Sequence, residues 1–86
     1  MAAYSIFFKD SVRKDLDPIP KHHLQRIMER IGALAENPRP AGCEKLSGQE
    51  KYRIRQGDYR IIYSIQDTQL TVRVVKVGHG REVYRI

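Results

Sequence analysis

The chain predicts an α+β fold in two layers: an N-terminal strand, an αα-hairpin, then a three- to four-stranded antiparallel sheet. Three observations predict it. Apolar residues recur at helical spacing through the first half, at Leu24, Ile27, Met28, Ile31, Leu34 and Ala35. Apolar and polar residues alternate in the second half, from Tyr52 to Tyr63 and again from Leu70 to Val77. A Gly57-Asp58 pair interrupts the first alternation where a two-residue hairpin turn belongs. A run of helices followed by a run of strands is the signature of helices packed on one side of an antiparallel sheet. With 86 residues, the chain reads as a single domain over 1–86, near the small end of what folds alone.

Taken in order, Tyr4-Ser5-Ile6-Phe7-Phe8 is a short first strand. Asp10 or Ser11 caps a short helix running to about Leu16. Asp17-Pro18-Ile19-Pro20 is a turn, and Pro20 suits the first turn of a second helix spanning roughly residues 20–36. Asn37-Pro38 ends that helix, because a residue before proline is pushed out of the α region. Residues 37–50 form a loop rich in Pro and Gly, with Leu46 as its anchor in the core. In the hairpin, Gly57 supplies the positive φ of a type II′ turn. Gln56 then faces Tyr59, Arg55 faces Arg60, Ile54 faces Ile61, Arg53 faces Ile62 and Tyr52 faces Tyr63. A four-residue turn at Gln66–Gln69 sets Ile65 opposite Leu70, Tyr63 opposite Val72 and Ile61 opposite Val74, with no slip of register and with Arg73 beside Ile62. Gly78-His79-Gly80 breaks the strand, and Arg81 to Ile86 forms a last strand or an extended tail.

Alternation sorts the hairpin into two faces. Tyr52, Ile54, Tyr59, Ile61 and Tyr63 share one, which needs a helix to cover it; Arg53, Arg55, Arg60 and Ile62 share the other. Cations directly opposed across a ladder repel, so a clustered arginine face points to an anionic ligand, with the phosphates of nucleic acid foremost. The alternative is a solvated sheet surface. The net charge of +6 is uneven: residues 1–50 hold eight Lys/Arg against seven Asp/Glu, and residues 51–86 hold eight against three. That excess in the strand-rich half suits nucleic acid, an acidic protein, or both.

Other classes are disfavoured. No apolar run approaches membrane-spanning length, and Met1-Ala2-Ala3-Tyr4 lacks the pattern of a secretion signal, so a cytoplasmic location without membrane contact is expected. Cys43 is the sole cysteine, which excludes an internal disulfide and fits a reducing compartment. His22 and His23 are adjacent, not one helical turn apart, and His79 is far off, so neither a metal nor another cofactor is expected.

Four stretches together resemble the toxins of the RelE/ParE superfamily, from bacterial and archaeal toxin–antitoxin pairs. They are Leu34-Ala35-Glu36-Asn37-Pro38-Arg39-Pro40, Lys45-Leu46-Ser47-Gly48, the hairpin Tyr52 to Tyr63, and Val77-Gly78-His79-Gly80-Arg81-Glu82-Val83-Tyr84-Arg85. The likeness covers nearly the whole chain and implies a RelE-like two-layer fold. It also implies one of two activities: ribosome-dependent messenger RNA cleavage, as in the RelE branch, or inhibition of DNA gyrase, as in the ParE branch. The late Tyr84 resembles the RelE branch and favours the first. The implied chemistry is metal-independent attack of a ribose 2′-hydroxyl on the adjacent phosphate, for which the protein supplies alignment, proton transfer and charge stabilisation.

On that resemblance the catalytic candidates are Arg60 and Arg81 for the phosphorane-like charge, Tyr84 for base stacking and for protonating the leaving oxygen, and Arg53 and Arg55, which stand where the family often has Lys. Arginine scarcely deprotonates, so the identity of the base stays open. His79 titrates near neutrality and can act as acid or base, or it is simply a turn residue at a strand end. RNA-binding candidates are Arg53, Arg55, Lys51, Arg73 and Arg85. The cluster shows no carboxylate: Glu82 alternates away from Arg81, and Asp58 belongs to the turn. Gly80 departs from relatives that carry a basic residue there, leaves Arg81 alone, and keeps open a member that binds without cleaving. The implied partners are a cognate antitoxin of RelB-like or Phd/YefM-like type, the ribosome and its mRNA, and operator DNA through the antitoxin complex only.

Overall fold

The computed structural model describes residues 3–48 and 50–80. Its elements run β1 (Ser5–Phe8), α1 (Val12–Leu16), α2 (Lys21–Ala33), β2 (Glu44–Lys45), β3 (Tyr52–Gln56), β4 (Tyr59–Gln66) and β5 (Thr71–His79). The strands form one sheet in the order β1-β5-β4-β3-β2. The α+β class expected from the residues is the one observed, with five strands among the described residues. The expected N-terminal strand is β1, and it joins the sheet parallel to β5, Ile6 opposite Val72. The addition is β2, a two-residue strand inside the Pro/Gly loop.

The core lies between the helices and one face of the sheet. Val12, Ile19, Ile27, Ile31 and Leu34 meet Ile54, Ile61, Tyr63, Val72, Val74 and Val77, all nearly or fully buried. Spacing explains the set. Ile27, Ile31 and Leu34 lie on one helical stripe, and Ile54, Ile61 and Tyr63 lie on one pleat face. Met28 was expected in this core but is 40% exposed. It turns toward a groove lined by Phe8, Val12, Arg13 and Leu16. Leu46 is only half-buried, and its N–H donates to the Lys51 carbonyl at 2.8 Å, so backbone pairing holds the loop where a core side chain was expected. Helix α2 ends a turn earlier than residue 36, because Leu34, Ala35 and Glu36 bond back to residues three positions earlier and tighten the last turn.

The β3–β4 register is the expected one at all five pairs, from Tyr52 opposite Tyr63 to Gln56 opposite Tyr59. Gly57 has φ +60, whereas Asp58 is not among the residues with positive φ, the pattern of a type II′ turn. The β4–β5 register differs from expectation. Ile65 faces Val72, Tyr63 faces Val74 and Ile61 faces Val77, with a bulge at Ile62/Tyr63. The turn occupies Asp67–Leu70, one position later than expected, with Leu70 in the left-handed region at φ 50. The later turn and the bulge explain the shift. One extra residue in β5 restores inward-facing valines on both sides of the irregularity. Where β1 no longer covers β5, Asp15 of α1 takes over the edge: its carboxylate accepts from the Val77 N–H and from Lys76 Nζ, each at 3.1 Å.

Candidate nucleic-acid interface

Strands β2, β3 and β4 build the polar face. Arg53 and Arg55 lie two residues apart on β3 and so point to the same side. Arg60 of β4 sits directly opposite Arg55, and Glu44 of β2 directly opposite Arg53. Helices cover the other side of these strands, where Ile54 and Ile61 are buried. The apolar alternation that packs the core therefore places three guanidinium groups on the opposite surface.

Glu44 is the residue that sequence reasoning missed. Its Oε2 accepts from Arg53 Nη2 at 2.8 Å, and its Oε1 lies 3.7 Å from Arg55 Nη2. The cluster thus holds a carboxylate, contrary to expectation, and the opposed charges of the ladder are partly offset. A signal was present in the sequence: Glu44 and Leu46 alternate about Lys45, a strand-like triplet inside the loop. The Pro and Gly residues around it masked that signal. Arg53 is mostly shielded, its side chain 13% exposed, while Arg55 and Glu44 are about half exposed, at 54% and 50%.

Arg60 is held by its own turn. Nη1 donates to the carbonyls of Tyr59 at 3.1 Å and Gly57 at 3.4 Å, and the buried Nε finds no acceptor among the described residues. Gly80 lies against this guanidinium: a Cβ built there falls 3.3 Å from Cζ and Nη2 of Arg60. The Gly80 N–H donates to the Asp58 carbonyl at 2.9 Å, fastening the end of β5 to the hairpin turn. The departure at Gly80 thus leaves space that the Arg60 guanidinium uses.

Of the other candidates, Lys51 stands just before β3, in the alternation row of Arg53 and Arg55. Arg73 is exposed on the same face but pairs with Ser64, not Ile62. Four residues along β4 separate Ser64 from Arg60, a distance of about 13 Å. Arg73 lines a different cleft of about 540 Å³ with Phe7 and Gln66. His79 is not brought to the arginine face. It pairs with Tyr59 on the helix side, its ring edge-on to Tyr59 at 5.9 Å, beside Lys14 and Asp15. Strand parity gives the reason, since His79 is two residues beyond the inward-facing Val77. Arg81, Tyr84 and Arg85 lie outside the described residues. Among the described residues, no three His, Cys, Asp or Glu side chains gather where a metal ion could bind.

Residues 6–84 match the family described as the ParE toxin of the type II toxin-antitoxin system, parDE. The chain belongs to the RelE/ParE superfamily of toxins. Toxin RelG of Mycobacterium tuberculosis (strain ATCC 25618 / H37Rv) is 31% identical over 86 residues, covering 95% of this chain and 97% of that one. The archaeal RelE of the RelE–RelB complex from Pyrococcus horikoshii OT3 is 32% identical, covers 92% of this chain and 98% of its own, and superposes with a TM-score of 0.82. The isolated E. coli RelE toxin is 26% identical, with coverages of 96% and 93% and a TM-score of 0.80. This is a RelE-like toxin of a type II toxin–antitoxin system, and its five-stranded sheet is the RelE-like sheet.

Proposed function

We propose that this RelE-like toxin cleaves messenger RNA on the ribosome and so arrests translation. The observation that carries the reading is the arginine ladder: Arg55 directly opposite Arg60, with Arg53 two residues along the same face. Guanidinium groups bind phosphate oxygens through paired N–H donors and keep their charge at any physiological pH. When the ribose hydroxyl is the nucleophile, the protein's task is to hold the phosphate and offset the charge that builds on it. Arg55 and Arg60 serve that role here. Arg53 and Lys51 extend the anion track, and Arg73 and Arg85 bind more distant backbone. Arg81 and Tyr84 act at the same phosphate and on a neighbouring base.

A RelB-like antitoxin is the proposed partner in the cytoplasm, in keeping with the RelB-bound P. horikoshii relative. Exposed Phe8 and Met28 border an apolar groove of about 600 Å³ between β1 and the helices, a surface suited to an antitoxin segment. Mapping RNA 5′ ends after the toxin is expressed without its antitoxin tests the cleavage reading. New ends within coding regions are expected, together with relief of growth arrest by R60A combined with R81A. Intact coding RNA, or full toxicity in the double variant, overturns it.

The match of residues 6–84 to the ParE family favours a second reading, inhibition of DNA gyrase without RNA chemistry. It predicts blocked supercoiling in vitro and DNA damage in cells whose mRNA stays whole.

A further inference from the structure

Attack by a 2′-hydroxyl needs a group to take its proton, and the arginines cannot accept one. His79, the other candidate acid or base, has its ring on the opposite side of the sheet. Glu44 has free lone pairs on the correct side. We propose that Glu44 is the general base of the cleavage reaction, oriented by Arg53 and open to substrate beside Arg55. This assignment rests on the RNA-cleavage reading above.

The geometry supports it in three ways. Arg53 Nη2 grips Oε2 at 2.8 Å, which fixes the carboxylate, while Oε1 stands 3.7 Å from Arg55, beyond hydrogen-bond range and free to accept. Arg53 is shielded and Glu44 half exposed, so the pair is anchored at its arginine end and accessible at its carboxylate end. Glu44 Oε1 also lies 3.7 Å from Arg55 Nη2, so a phosphate held by Arg55 brings its attached ribose within reach of that carboxylate. The charged groups facing the carboxylate are Arg53 and Arg55 of β3; Lys45, its chain neighbour, turns to Glu50 at 3.9 Å.

The step balances without a co-reactant. Glu44 takes the 2′-hydroxyl proton as the O2′–P bond forms. The P–O5′ bond breaks, and the departing 5′-oxygen takes a proton from water. The products are a 2′,3′-cyclic phosphate and a 5′-hydroxyl end, and Glu44 returns its proton to solvent.

Glu44→Gln gives a signature that other roles do not. Removing a negative charge from an anion site tightens RNA binding, yet removing the base slows cleavage. The experiment is single-turnover cleavage of mRNA on programmed ribosomes for the unaltered toxin, E44Q and E44D, with binding of a 2′-O-methyl RNA oligonucleotide measured in parallel. The expected result for E44Q is cleavage slowed by about 100-fold or more, with binding equal or tighter. E44D, which keeps a carboxylate, recovers part of the rate. Three outcomes overturn the assignment. In the first, E44Q cleaves within about threefold of normal, and the base assignment alone falls. In the second, E44Q loses binding and cleavage together, which marks Glu44 as a structural partner of Arg53. In the third, the unaltered toxin leaves ribosomal mRNA whole, and the RNA-cleavage reading falls with this one.

Discussion

Arg60 illustrates how much of the site depends on single side chains. It faces Arg55 across the ladder, bonds back to its own turn, and packs on the bare Cα of Gly80. On the proposed reading Arg60→Ala removes a guanidinium that offsets charge on the phosphate, and cleavage is expected to fall by about 100- to 1000-fold. Arg60→Lys keeps charge but not the planar fork, so it recovers only part of that loss in the same ribosome assay. Gly80→Ala sets a methyl group 3.3 Å from the guanidinium. The fold stays intact because Arg60 can swing away, so thermal stability holds while cleavage drops; an unchanged cleavage rate counts against Gly80 as the seat of Arg60. The hairpin arginines were legible in the sequence because alternation alone places them. The Arg60–Gly80 contact was not, since residues 20 apart meet only once β5 is laid beside β4 in its actual register.

The elements are tied together away from the arginine face by a polar clamp. Asp67, in the β4–β5 turn, accepts from Tyr4 Oη at 2.7 Å and from both terminal nitrogens of Arg39, at 2.9 and 3.1 Å. Arg39 also lies over the Tyr52 ring, 5.2 Å from its centroid. The chain before β1, the loop after α2 and the last hairpin thus meet at one carboxylate. The hydrogen bonds from Arg39 and then Tyr4 push the Asp67 pKa down to about 2. A group whose folded pKa lies below its unfolded one stabilises the fold above the unfolded value, about 4 for aspartate. That stability is lost as pH falls from about 4 toward 2. Melting curves across this window are expected to show a shallower acid limb for Asp67→Asn, together with a lower melting temperature at pH 7. A second link is buried. Tyr63 Oη donates to the Pro38 carbonyl at 2.6 Å, anchoring the loop that leads to β2. Tyr63→Phe leaves that carbonyl unpaired at a cost of about 1–3 kcal/mol. For a chain this small the melting temperature drops by at least about 4 °C, measurable by circular dichroism. The core stripe of α2 and the β3–β4 ladder were readable from periodicity and Gly57. The β4–β5 register was not, because no local signal marks Leu70 for a left-handed turn position or announces the bulge. The β2 strand was hidden because its short alternation, Glu44 to Leu46, sits among Pro and Gly residues that read as loop.

On the scale of the whole molecule, one sheet separates two chemistries. Its helix side holds the aliphatic core, and its other side holds Arg53, Arg55 and Arg60 beside Glu44, with Arg73 farther along; the four arginines come from residues 51–86, which carry eight basic residues and three acidic ones. On the proposed reading, RNA on such a surface is held largely by release of counterions, so affinity depends on how many phosphates are neutralised. If Arg53, Arg55 and Arg60 each engage one phosphate, three contacts give a slope of about −2 in a plot of log affinity against log salt. Arg55→Ala is expected to make that slope shallower by about 0.7, as does Arg60→Ala. Arg73→Ala serves as an internal contrast, because it sits about 13 Å along the sheet from Arg60. With a trinucleotide it leaves the slope unchanged, and with a longer RNA it lowers the slope as the other two do. Equal effects of all three substitutions on a trinucleotide would mean that the field is diffuse and that the ladder is not a phosphate site. Selective effects of Arg55 and Arg60 would place the short RNA across β3 and β4, next to Glu44.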